Sequence, residues 1–117
     1  MSCGTPLRYN SFSDGGPFLA MSLGVCTIKL RLPENHSLKD KRKVLQSVVT
    51  RVRNRYNVAI AEMDDQDLWQ VATLGVACLS NDARQVDQVL SKVVSSIVEG
   101  RYDLEVLDYH IEIMPFP

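Results

Sequence analysis

The sequence has no apolar run approaching the roughly 18–20 residues that cross a bilayer as a helix, so no membrane partner is expected. Its first residues lack the charged-then-apolar pattern of a secretory leader, because Leu7 to Ala20 is interrupted by Asn10, Asp14, Gly15, Gly16 and Pro17. Cysteine is scarce: Cys3, Cys26 and Cys78 are an odd number without metal-ligand spacing. Cys26 and Cys78 fall inside apolar strand patterns, where a reduced cysteine acts as a small hydrophobe. The expected setting is therefore a reducing compartment, the cytoplasm. Histidine is scarcer still, with His36 and His110 far apart in the chain. Ser80 has no nucleophile-elbow context, and no cation or helix N-terminus adjoins the cysteines to activate them. These absences predict a protein that is not an enzyme, with no catalytic residue, no metal site and no cofactor.

What is present is a single-domain length of 117 residues with 45% hydrophobic and 23% charged content, ordinary for a folded protein and unlike a disordered one. The net charge of −1 hides an asymmetry. From Lys29 to Arg55 nine basic residues face only Glu34 and Asp40, a local charge of +7 that leaves −8 for the rest. Such a distribution fits either an anionic partner or a solvated helix face.

Residues 1–20 are rich in Ser, Gly, Pro, Asn and Asp, and their apolar members follow no period. They are read as a disordered or non-native extension, with residues 21–117 as one domain. Leu23 to Leu32 alternates, placing Gly24, Cys26, Ile28, Leu30 and Leu32 on one face, a strand with one buried side. Pro33 ends it. Ser37 with Asp40 reads as a capping box, and Leu38, Leu45, Val48, Val49, Val52 and Tyr56 form the apolar stripe of a helix over Leu38–Arg55. Val58–Met63 suits a strand, and both of its faces are largely apolar. Trp69–Leu79 suits another, rich in β-branched and small residues. Ser80-Asn81-Asp82 caps a second helix whose stripe is Val86, Val89, Leu90, Val93, Val94 and Ile97, with Gly100 at its C-terminal cap. In the last strand, Leu104–Met114, the alternation sets Leu107, Tyr109, Ile111 and Ile113 against Asp108, His110 and Glu112. The order β-α-β-β-α-β with right-handed crossovers predicts an α+β, ferredoxin-like fold: a four-stranded antiparallel sheet with two helices on one face.

Several separated motifs then carry a resemblance. Leu30-Arg31-Leu32-Pro33, Ser37-Leu38-Lys39-Asp40-Lys41-Arg42, Tyr56-Asn57-Val58, Ala61-Glu62, Asp65-Gln66-Asp67-Leu68-Trp69-Gln70, Ala72-Thr73-Leu74-Gly75-Val76 and Ser80-Asn81-Asp82 resemble the YlxP-like family, also called domain of unknown function 503. The similarity covers about Met21 to Met114. It implies a small bacterial protein of ferredoxin-like fold and no established activity. Members of that family often lie in gene clusters with translation initiation and ribosome-maturation factors, which implies an RNA or ribosomal-subunit partner.

On a helical wheel Arg42, Arg53, Gln46, Lys39, Thr50, Lys43 and Asn54 form one flank beside the apolar stripe, with Lys41, Arg51 and Arg55 elsewhere on the polar circumference. Cations mixed with neutral hydrogen-bonding groups suit a phosphate backbone. The leading expectation is therefore a non-enzymatic RNA- or ribosome-associated accessory factor that binds phosphates through Lys39, Arg42, Lys43, Gln46, Arg53 and Asn54. Stacking of bases on the sheet, as in an RRM, is not expected: the first strand has no outward aromatic, the third only Trp69, and the RNP and GxxG patterns are absent. Trp69 is read as a core or hairpin anchor. Asp64, Asp65 and Asp67 lack the glycine and twelfth-position glutamate of an EF-hand and are read as a solvated turn. Acylphosphatases share the architecture, but their Gly-rich phosphate loop is replaced here by Pro33-Glu34-Asn35-His36. The alternative expectation is a homodimeric interaction module using the exposed sheet face. Leu23, Val25 and Val106 beside Thr27 would be its apolar residues, with Lys29 or Arg31 pairing across strands with Asp108 or Glu112.

Overall fold

A strand with alternating apolar residues buries one face only if another layer covers it, and the first strand does this in the computed structural model, which describes residues 21–33, 36–64, 68–100 and 102–116. β1 spans Met21–Arg31. Gly24, Cys26, Ile28 and Leu30 face inward and are buried, while Thr27, Lys29 and Arg31 stand exposed on the other side. The expectations for residues 1–20 and for Asp65 and Asp67 lie outside the described residues, as does the side chain of Asp64.

α1 spans Leu38–Arg55. Ser37 is extended, and its hydroxyl accepts the Asp40 N–H at 3.1 Å. Asp40 reaches back to the N–H of His36 at 3.4 Å rather than to that of Ser37, so the box closes one residue further out. A cap of this kind is worth about 0.5–2 kcal/mol. Then follow β2 (Ala59–Asp64), β3 (Val71–Ser80), α2 (Ala83–Glu99) and β4 (Glu105–Phe116). Asp82 caps α2 by accepting the Arg84 N–H at 3.0 Å. Gly100 closes it in extended rather than left-handed backbone.

The sheet order is β2-β3-β1-β4 with every neighbouring pair antiparallel, which is the ferredoxin-like α+β arrangement. α2 lies over β1, β3 and β4, and α1 lies mainly over β2. The core joins Ile28, Leu30, Leu74 and Val76 of the sheet to Leu45, Val48 and Val52 of α1 and to Val86, Leu90, Val93 and Ile97 of α2. Each such side chain contributes about 1.5–3 kcal/mol through burial. Gly24 is where α2 comes closest: a Cβ there would meet Val86 Cγ1 and sit 2.7 Å from Leu90 Cδ1.

Two expectations are corrected by β4 and β3. The β1–β4 register shifts between Lys29 and Leu30, which lie opposite Asp108 and Val106, so Leu107 is the extra residue of a bulge. Val106 therefore turns inward and packs on the core instead of joining the open face. The strand begins at Val71 rather than Trp69, leaving Trp69 half-exposed and outside the core. Pro115 is accommodated inside β4 because β4 is an edge strand.

Candidate nucleic-acid interface

α1 buries Lys41, Leu45, Val48 and Val52, and Val44 and Val49 pack partly on the core, which leaves its polar side to solvent. Lys39, Arg42, Lys43, Arg51, Arg53 and Arg55 are all exposed, and Gln46, Thr50 and Asn54 lie among them. The helix contains a single acid, Asp40, which is committed to the N-terminal cap. Among the described residues, Lys39, Arg42, Lys43 and Arg51 form no ion pair.

The six residues expected to contact phosphate divide into two rows. Arg42, Gln46 and Arg53 rim a groove of about 370 Å³ between α1 and the edge strand β2, floored by Leu45, Val49, Ile60 and Ala61. Arg53 is partly committed there, its Nη2 donating to the Ile60 carbonyl at 3.1 Å. Lys39, Lys43 and Asn54 are exposed and do not line this groove. Arg55 stacks over the Tyr56 ring at 5.6 Å from its centroid, a cation–π contact at the end of the helix.

Local electrostatics work against this arrangement in the isolated protein. Lys39 and Lys43 form one like-charged i,i+4 pair and Arg51 and Arg55 another, each disfavoured by about 0.2–0.5 kcal/mol. Lys39 also stands in the first turn, where the helix dipole favours acids. Arg53 and Arg55 in the last turn suit the dipole and have a structural explanation. The N-terminal cations do not.

Lys41 corrects the wheel. It does not lie on the polar circumference but is 1% exposed, its Nζ 2.8 Å from Glu62 Oε2 on β2 and 2.5 Å from the Leu68 carbonyl. Helical spacing puts Lys41 in line with Leu38 and Leu45, and only the partner on β2 makes a charge tolerable there. The only sequence hint was a lysine four residues before the stripe position Leu45; the apolar character of both faces of Val58–Met63 hid which way Glu62 points.

The open face of the sheet is divided. At one end Leu23 pairs with Leu79 and Met114, Val25 with Ala77, and Met21 with Phe116. Met63 lies across Gly75, whose missing Cβ makes room for its side chain. At the other end Arg31 pairs with Glu105 at 3.5 Å, a partner other than the expected Asp108 or Glu112, and Lys29 stands opposite Asp108 in the register. Glu112 instead lies opposite Val25 and 3.9 Å from His110. His36 lies in the loop between β1 and α1, and His110 lies on β4 opposite Thr27. Among the described residues no group of three His, Cys, Asp or Glu side chains could hold a metal ion, and no helix is long and apolar enough to cross a membrane. Burial pushes the Cys26 thiol up to about 11 and raises that of Cys78, which keeps both protonated at neutral pH.

The Bacillus subtilis (strain 168) protein named "Uncharacterized protein YlxP" is 43% identical over 61 residues, covering 52% of this chain and 66% of its own length. Among solved structures, a de novo designed protein, Foldit4, is similar at a TM-score of 0.44 and 10% identity over 82% of this chain and 97% of its own. A C-terminal segment of the alpha subunit of aIF2 from Pyrococcus abyssi has the same TM-score and identity over 87% of this chain and 57% of its own. The family described as "Protein of unknown function (DUF503)" matches residues 23–111, most of the described fold, and the chain belongs to it.

Proposed function

We propose that the protein is an RNA- or ribosome-associated accessory factor that binds phosphates through the outward face of α1. The carrying observation is that this face holds six exposed cations and no uncommitted acid, including like-charged pairs and a first-turn lysine that cost the free helix stability. A run of phosphates relieves that repulsion and releases its own counterions. Lys39, Arg42 and Lys43 are the principal contacts, with Gln46 and Asn54 as neutral donors and Arg53 shared with the β2 edge. Contacts of this type position a nucleic acid without reading its sequence. The test is binding of a labelled structured RNA, or of small ribosomal subunits, across a salt series. Reversing Arg42 and Lys43 to glutamate is expected to weaken binding for all sequences and to flatten the log K against log [salt] slope by about 1.4–1.8, two contacts at roughly 0.7–0.9 each. Binding and slope unchanged in that variant refute the reading.

A second reading is favoured by the open sheet face, whose apolar end includes Met21, Leu79, Met114 and Phe116, all exposed. At its other end Arg31 pairs with Glu105 and Lys29 stands opposite Asp108, which leaves Glu112, opposite Val25, as the acid bordering the apolar end that a second copy would meet. Homodimerisation through this face leaves α1 free. Sedimentation at rising concentration tests it: a dimer dispersed by Leu79→Asp supports it, and a monomer at every concentration refutes it.

A further inference from the structure

Trp69 is the only tryptophan of the chain, and the fold holds it at the surface rather than in the core. It is 49% exposed, beside Leu68 at 52%. Both of its neighbours are anchored. The Leu68 carbonyl accepts from the buried Lys41 Nζ at 2.5 Å, and the Gln70 carbonyl accepts from the Leu32 N–H at 2.8 Å. Burying a lysine for one of these anchors is costly unless it is well paired, and the result is a backbone held on both sides of Trp69. Lys41 lies in the first turns of α1, so this backbone is tied to the N-terminal end of the helix. Arg42 follows Lys41 by one step of about 100° and 1.5 Å and lines the α1–β2 groove together with Glu62, the partner of Lys41, whereas Lys39 lies about 160° round the helix from Lys41.

The described residues include two other largely exposed aromatics, Tyr109 and Phe116. Both lie on β4, at the sheet edge opposite to β2. Trp69 alone of the three shares a neighbourhood with the basic helix. We propose that Trp69 is a stacking platform for an unpaired RNA base whose flanking phosphate lies on Arg42. This deepens the phosphate-binding reading and rests on it. It differs from sheet-face stacking in an RRM, because the aromatic stands in the β2–β3 connection and the phosphate is held by a helix. Any base offers a π-face, so the platform selects unpaired over paired RNA rather than one base over another.

The experiment uses the full chain and two labelled RNAs, a single-stranded oligonucleotide and a fully paired duplex, each followed by anisotropy of the label and by Trp69 emission. The single strand is expected to quench Trp69 with the same midpoint as the anisotropy change. Trp69→Ala is expected to weaken single-strand binding by roughly 5- to 100-fold while leaving duplex binding within about twofold, and Trp69→Phe to restore most of the loss. A far-UV circular dichroism melt of each variant checks that the fold is kept. Single-strand binding that survives Trp69→Ala, with emission blind to RNA, overturns the platform and leaves the basic helix standing. Failure of the wild-type chain to bind either RNA at low salt overturns both. Emission that shifts with protein concentration and not with RNA assigns Leu68 and Trp69 to a protein interface and also overturns the platform.

Discussion

Replacing Lys41 by methionine keeps the length and apolar stem of the side chain and removes only its charged end. That end lies 2.8 Å from Glu62 Oε2 and 2.5 Å from the Leu68 carbonyl, with the lysine 1% exposed and the glutamate side chain 23% exposed. Deleting one partner of a buried pair costs about 3–5 kcal/mol, because the other charge stays desolvated. Glu62 keeps some contact with water, which sets the expectation at the low end, about 3 kcal/mol. For a domain of this size that corresponds to a fall in Tm of roughly 12–24 °C. In urea the midpoint should drop with the slope m unchanged. Far-UV circular dichroism is the appropriate probe, since Trp69 sits beside the site and its emission reports local change as well as unfolding. The pair Lys41→Met with Glu62→Leu removes both charges and should recover most of the loss, as apolar replacement of buried ion pairs often does. A single variant that loses less than about 1 kcal/mol, or a double variant no more stable than the single, would refute the account of Lys41 as a desolvated, partnered charge.

The same double variant should bind RNA with an unchanged salt slope in the filter or anisotropy assay, because Lys41 is buried and contributes no phosphate contact. Gly24→Ala should lower stability by about 1–3 kcal/mol in urea titration, as its Cβ meets Val86 and Leu90. Gly75→Ala should cost less, since only the flexible Met63 side chain must move. Native-state alkylation of Cys26 by iodoacetamide at pH 8 should be slow and rise sharply in urea. Its folded pKa of about 11 lies above the ordinary 9.0, so the stability this thiol contributes is intact below pH 9 and declines as pH rises toward 11. Melts across that range should show the decline in wild type and a smaller one in Cys26→Ala.

The sheet and helices were legible because each element is governed by a short-range period. Gly24-Cys26-Ile28-Leu30 and Val86-Leu90-Val93-Ile97 need only the repeats of two and of 3.6 to declare their buried faces. Val106 was misplaced because a bulge adds one residue and inverts the alternation on its far side, and nothing in Leu104–Met114 marks where the extra residue falls. Of the two readings of Trp69, core or hairpin anchor, its 49% exposure excludes the core. Large aromatics are usually buried, and nothing in the local sequence shows that its neighbours are held by Lys41 and Leu32. The polar flank of α1 was readable from the wheel because solvated positions need no tertiary partner.

Lys41 was not readable in that way, and the reason bears on the site itself. A charge inside an apolar stripe contradicts its own helix, and the contradiction is removed only by Glu62, 21 positions away on another element. Local rules fail most where a structure serves something besides stability. Here the failure coincides with three other departures: a lysine in a helical first turn, like charges at i,i+4, and a half-exposed tryptophan held by its neighbours. Each costs the free protein stability, and apart from the Arg51–Arg55 pair at the far end of α1 they gather at its N-terminal end and in the β2–β3 connection that Lys41 pins to it. A surface that was merely solvated would have no reason to concentrate them, since acids in the first turn and an inward indole would serve the fold better. A ligand that brings negative charge to the cations of α1 and a flat apolar face to Trp69 compensates the surface costs, with Lys41 as the internal strut that keeps the two halves of the site together.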